Sequence, residues 1–332
     1  MRRALLWQRL SLLWFGAIVA FICLIPFIAN PYYLSLGVII GIQTLLTLGL
    51  CLLMGYTGQV SLGHAAFYGM GAFISAIATR TYDWNPWLAM FVAMMATGGI
   101  AYVVGLPIFR LRGNYLAMAT LAFGVIIYIL LRELHQYTGG PSGLSAIPDL
   151  TVRGFAFDND FRYYYLVWAF ALGALFLSQN IVRSRVGRAL RSVHGNEAAA
   201  QSLGVDVARV KVSVFVLSAM YASLAGSLYA HYVTFVSPQP FEFMFSVRLV
   251  VMVVIGGLAS VWGSIFGTAS ITLLSDQLHR FGELDTIVFG GMLMLVMIFM
   301  PSGLTLGVRE LWEQGRARLE RGVRLWARAS SS

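Results

Sequence analysis

Long apolar runs separated by short clusters of arginine constrain this chain more than any other feature. The runs cover roughly 11–29, 34–54, 60–79, 86–108, 115–131 and 163–182, then 212–236, 246–275 and 284–300. Several approach the ~20 apolar residues that carry a helix across a ~30 Å hydrocarbon layer. Charged residues make up 11% of the 332, less than half of the ~25% usual in a soluble domain. That is too few to cover a water-facing surface. The net charge of +9 does not point to nucleic acid, because the basic residues sit between apolar runs and not along one face. Loops beside a membrane have this distribution, and the partner it implies is the lipid bilayer. Cys23 and Cys51 both lie inside apolar runs, so neither a disulfide framework nor a metal site is expected.

Counting crossings assigns sidedness. Arg2, Arg3 and Arg9 precede a run from Ser11 to about Ala29 that is longer than a secretory h-region and has no small-x-small cleavage site. It reads as an uncleaved first transmembrane helix. The positive-inside rule then places the 1–10 tail in the cytoplasm. Arg110 and Arg112 fall inside by the same count, as does the strongest cluster, Arg183, Arg185, Arg188, Arg191, Arg209 and Lys211, in a loop over 183–211. The 132–162 loop falls outside, and Arg80 is a minor exception there. Arg309, Arg316, Arg318, Arg321, Arg324 and Arg328 make a basic cytoplasmic tail of 301–332, so an even number of crossings must join Lys211 to Pro301. The 246–275 run is too long for one ordinary span, and Gly256-Gly257-Leu258-Ala259-Ser260 lies near its centre. Parity and glycines together predict a break near 256–260, giving two short crossings or half-helices. The expected fold is an all-α polytopic membrane protein of about ten transmembrane helices, some broken, within 11–300.

A second glycine-rich stretch, Gly55 to Gly71, has two readings. Small residues four apart, as at Ala65 and Gly69 or Gly263 and Gly267, let membrane helices pack closely. Alternatively, Gly55 to Gly63 unwinds the helix, and irregular backbone in a bilayer must be buried in protein or line a watery cavity. On the second reading the candidate solute path includes Thr57, Gly58, Gln59, Ser61, Gly63 and His64, with Gly256 and Gly257 from the other break. Gly58-x-x-Ser61-x-Gly63 and Gly257-x-x-Ser260-x-x-Gly263 also share a loose pattern, the one hint of two pseudo-repeated halves. Arg248, just inside the outer end of its run, either snorkels to headgroups or pairs with Glu242, or else offers its planar fork to a solute carboxylate.

Gly55-Tyr56-Thr57-Gly58-Gln59-Val60-Ser61-Leu62-Gly63-His64-Ala65-Ala66-Phe67 resembles the signature of branched-chain amino-acid ABC permeases of the LivH/LivM family, and most closely the LivM-type subunit. Thr138-Gly139-Gly140-Pro141-Ser142-Gly143-Leu144, Val253-Val254-Ile255-Gly256-Gly257-Leu258 with Gly263, and Pro301-Ser302-Gly303-Leu304 are similar to further family segments. Ala259 and Arg248 depart from the family pattern. The resemblance implies a permease subunit of an ATP-driven importer in the bacterial inner membrane. Its expected partners are a second related permease, two cytoplasmic ATPase subunits and an extracytoplasmic solute-binding protein. Leucine, isoleucine and valine are the implied solutes, with urea, short amides or other small organic solutes as the alternative.

No Gly-x-x-x-x-Gly-Lys-Ser/Thr phosphate loop occurs, so ATP and Mg are expected in partner chains and no cofactor in this one. The stretch Gly187-Arg188-Ala189-Leu190-Arg191 through Glu197-Ala198-Ala199-Ala200 to Gly204 resembles the Glu-Ala-Ala coupling loop of ABC importers, with a one-residue longer interval to the glycine. Gly187, Arg188, Arg191, Glu197, Ala198, Ala199, Ala200 and Gly204 are the candidate ATPase-coupling residues, and Gly204 the helix stop. A basic loop lying on anionic lipid is the competing reading. No His-Glu-x-x-His or nucleophile–base pair points to an enzyme, and the 14 acids fall in loops, tails or helix ends, which disfavours ion coupling.

Overall fold

A computed structural model describes residues 22–27, 30–111, 113–152, 155–278 and 290–291. Most of the expected first span (11–29), the last one (284–300) and both tails (1–10 and 301–332) lie outside the described residues. Among the described residues, ten principal helices follow one another. These are α1 (Pro31–Leu50), α2 (His64–Tyr82), α3 (Pro86–Ile108), α4 (Asn114–Glu133), α5 (Asp160–Arg183), α6 (Arg185–Gly195), α7 (Glu197–Ser202), α8 (Val207–Val233), α9 (Phe243–Gly256) and α10 (Gly263–Leu278). Among the described residues, five segments are long and apolar enough to cross a membrane: α1 with its continuation to Gly55, α3, α4, α5 and α8. The chain is thus an all-α polytopic membrane protein.

Helix starts follow local chemistry. Pro31 and Pro86 open α1 and α3, where a missing N–H costs nothing. Side chains of Asn85, Asn159, Ser184, Asn196 and Asp206 cap α3, α5, α6, α7 and α8. The expected span over 60–79 begins instead at His64, because the glycine-rich stretch before it does not wind. The basic loop is also shorter than 183–211, since its last residues form the first turn of α8.

The bundle is built around α1, α2 and α8. Small residues let α2 and α8 touch backbone to backbone: a methyl on Gly71 would lie 2.2 Å from the Ser223 carbonyl oxygen, and one on Gly226 2.0 Å from that of Tyr68. Ser227 Oγ completes the contact by donating to the Gly71 carbonyl at 3.1 Å. Close approach of this kind lets dispersion act where lipid offers no hydrophobic gain. The close-packing glycine is therefore Gly71, while Gly69 accommodates the Leu131 and Phe241 side chains.

The other expected break is present. α9 stops at Gly256 and α10 starts at Gly263, and the two return on each other as a hairpin. A methyl on Gly263 would lie 2.0 Å from the Gly256 carbonyl oxygen, and one on Gly267 2.1 Å from that of Met252. α9, with 14 residues, spans ~21 Å at ~1.5 Å per residue, short of a full crossing, and the 16 described residues of α10 span ~24 Å.

The connecting segments gather at two ends. At one, Leu144 and Ser145 pair antiparallel with Val236 and Phe235, Trp87 Nε1 donates to the Thr151 carbonyl at 2.7 Å, and His231 bridges Ser75 Oγ (2.9 Å) and the Pro148 carbonyl (2.7 Å). The Thr138–Gly143 motif makes the turn that leads into this pairing: Thr138 is buried and accepts from the Gly140 N–H at 3.2 Å. At the other end, Arg110 and Asp206 border one groove, and α6 and α7 connect α5 to α8.

Gly55 is the tightest glycine position among the described residues, since a methyl there would fall 1.3 Å from the Leu258 carbonyl oxygen. Gly55→Ala should sharply reduce the folded protein recovered from membranes, because a contact with backbone cannot relax by side-chain rotation. Gly99→Ala, where nothing lies within 4 Å, should leave recovery at the wild-type level in size-exclusion profiles.

Candidate functional site

α1 loosens before it ends. Cys51–Gly55 forms a π turn, and the backbone is non-helical from Gly58 until His64. Such widened turns often mark functional positions. The polar residues of this break are held partly by one another and partly by distant parts of the chain. Thr57 Oγ1 donates to the Leu53 carbonyl at 2.5 Å. His64 is fully buried between Ser61 Oγ (Nδ1, 3.0 Å) and Ser218 Oγ of α8 (Nε2, 2.5 Å). Gly63 lies against α4, where a methyl would meet the Thr120 carbonyl oxygen at 2.4 Å.

The two breaks form one junction. Besides the Gly55–Leu258 contact, Tyr56 Oη donates to the Ala259 carbonyl at 2.7 Å and Cys51 Sγ to that of Leu258 at 3.5 Å. Gly256 and Gly257 close the hairpin whose connecting turn makes these contacts. α6 and α7 add a third component. The place a Cβ would take on Gly58 lies 3.1 Å from His194 Nδ1. Gln59 Nε2 donates to the Thr57 carbonyl at 3.2 Å and to Glu197 Oε1, on α7, at 3.4 Å.

Glu197 Oε1 also accepts from Lys211 Nζ at 2.6 Å. Lys211 is not in the basic loop. It points inward from the first turns of α8 with its side chain 3% exposed, whereas Glu197 keeps 31%. An ammonium buried that deeply costs several kcal/mol unless paired. The single lysine of the chain therefore fixes where Glu197, and with it α7, must sit. Val193, Ala200 and Val207 form a small apolar core beneath α7, and Arg191 Nη1 donates to the Val182 carbonyl at 3.2 Å. Gly187 fits against the end of α5, where a methyl would approach the Val182 carbonyl oxygen to 2.1 Å. Ala198, Ala199, Arg188 and Leu203 face outward, with Leu203 83% exposed. Gly204, at φ +84°, ends the helix in a conformation that side-chain-bearing residues resist.

Arg248 lies apart from this junction. It lines a cavity of about 190 Å³ between α1, α9 and α10 with Leu36, Ile39, Gln43, Met252, Thr272, Ser275 and Asp276. Sequence reasoning missed Lys211 as the partner of Glu197, although its being the only lysine was a signal. Ser218 and the α10 wall of the cavity gave no signal, because they come from segments distant in the chain.

Discontinuous helices meeting at a polar junction, with a half-helix hairpin enclosing a cavity toward the opposite end, define a membrane transport subunit. The chain belongs to the family of branched-chain amino acid transport system permease components, which matches it over residues 32–297. It is 32% identical to the high-affinity branched-chain amino acid transport system permease protein LivM of Salmonella typhimurium, over 84% of this chain and 71% of the relative. The LivM protein of Escherichia coli K12 shows the same identity and coverage. The Escherichia coli K12 LivH permease is 23% identical over 81% of this chain and 92% of its own length. No solved structure matches.

The buried pair makes an asymmetric prediction. Glu197→Gln strands the Lys211 ammonium, so it should destabilise the purified protein by about 1.5–3 kcal/mol. Adding Lys211→Met to Glu197→Gln should recover most of that loss. Apparent melting temperatures of the single and double variants in one detergent check both outcomes.

Proposed function

We propose that this chain is the permease half of an ATP-driven importer and that it carries leucine, isoleucine or valine into the cell. The family and the names of its relatives support that solute class over urea or amides. Two kinds of relative, LivM and LivH, match the chain, which supports pairing with a second, related permease. Two cytoplasmic ATPase subunits would supply ATP hydrolysis, and an extracytoplasmic binding protein would deliver the solute. This orientation puts α6–α7 and the basic C-terminal tail in the cytoplasm and the 144–145/235–236 pairing outside.

The Glu197 hydrogen-bond junction carries the coupling half of the reading. α7 presents Ala198, Ala199 and Leu203 outward while Glu197 grips Gln59 of the first break and Lys211 of α8. A push from a docked ATPase on α7 therefore reaches both helices as rigid-body motion. On this reading Thr57, Gly58, Gln59, Ser61, Gly63, His64, Gly256 and Gly257 act chiefly in the moving junction, and Arg248 faces the solute.

Gly204→Arg should insert into the membrane at the wild-type level yet impair ATP-driven uptake, because it changes the docking face and the stop of α7 but not the bundle. Uptake in proteoliposomes, normalised to assembled complex, measures this, and normal uptake would contradict the docking assignment. Reporter fusions after Thr138 should read outside and those after Gly195 and Ser332 inside. Thermal-shift screening of the partner binding protein should find stabilisation by aliphatic amino acids, and none at all would contradict the solute class.

A further inference from the structure

The cavity between α1, α9 and α10 contains polar groups that the junction does not use. Ser275 is 5% exposed, and among the described residues neither its Oγ nor the buried Asp276 Oδ2 has a hydrogen-bond partner. Unsatisfied buried groups of this kind are rare in native structures and call for a physical reason. Both residues line the cavity, and Arg248 lines it from α9. Asp276 is set in place from α1, since the Tyr32 hydroxyl donates to its Oδ1. Thr272 Oγ1 donates to Gln43 Oε1 at 2.7 Å and fixes that amide on the adjoining wall. A carboxylate and a guanidinium therefore border one small space to which Leu36, Ile39 and Met252 contribute an apolar wall. Ionisable groups within membrane helices are expensive and tend to mark the solute pathway.

We propose that this cavity is a binding site for a zwitterionic aliphatic amino acid in transit. Arg248 takes the α-carboxylate through its two-pronged donor face, which Lys would not reproduce. Asp276 Oδ2 and Ser275 Oγ take the α-ammonium, which supplies the donors they lack. The apolar wall accepts the side chain, so the site selects for two opposite charges at the spacing of an α-amino acid. This assignment rests on the solute class proposed above and adds the residues that recognise it.

The test uses the full transporter in proteoliposomes with saturating leucine-loaded binding protein and ATP. Arg248→Gln and Asp276→Asn should each lower the maximal leucine uptake per assembled complex by about tenfold or more, and Arg248→Lys should be closer to Gln than to wild type. Photoleucine, a zwitterionic diazirine analogue, should label α9 or α10 in the wild-type complex, with excess leucine competing it away. Asp276→Asn should lose that labelling, which a merely structural role for Asp276 in an assembled complex would not cause. Wild-type uptake by all three variants, or photoleucine labelling that avoids both helices in an active wild-type complex, overturns the site. A wild-type complex that takes up no leucine, isoleucine or valine overturns instead the solute class, and this site with it.

Discussion

The backbone contact between Gly55 and the Leu258 carbonyl is the constraint on which the rest of the structure depends. Two helices that would otherwise cross as plain apolar rods both stop winding where they meet, and the freed backbone of each is buried by the other. Such irregularity is tolerated in a membrane protein only inside protein or around water. Nothing larger than glycine fits at this point. The hairpin of α9 and α10 can therefore sit deep in the bundle only because α1 widens into its π turn beside it.

The proposed coupling geometry builds on that contact. The break that starts at Gly58 is bordered by α6 and α7, and Gln59, Glu197 and Lys211 join three separate elements through one carboxylate oxygen. The pair is largely sheltered, so it is screened far less than a surface ion pair would be. α7 itself is only six residues long, too short to hold its shape alone. Its rigidity comes from Asn196 at its cap, the Val193–Ala200–Val207 core and the charge pair.

Much of the fold was legible because a bilayer imposes simple rules on sequence. Among the described residues, run lengths predicted the five long apolar helices, and the length of the 246–275 run with Gly256 and Gly257 near its centre predicted the break between α9 and α10. The glycine-rich stretch supported two readings, and different glycines satisfy each: Gly71 packs helices, whereas Gly55 lies where the helix opens. Its local motif showed that the segment was special but not what it touches. Partners such as His194, Ser218 and Leu258 lie well over a hundred residues away. Asp276 looked like one more helix-end acid, and only the fold places it across a cavity from Arg248. Lys211 falls in the basic 183–211 loop by charge counting, which does not see that a helix turns one member of the cluster inward.

The account holds that α7 and the two helix breaks move as one body. Spin labels at exposed Ser202 on α7 and at Leu258 in the hairpin turn report on this directly, with Cys23 and Cys51 replaced and the full transporter assembled. A second pair, Ser202 with Tyr137 at the opposite end, serves as the reference for motion. The account predicts that ATP binding leaves the Ser202–Leu258 distance distribution unchanged while the Ser202–Tyr137 distribution shifts. A change in the Ser202–Leu258 distance on ATP binding would contradict it.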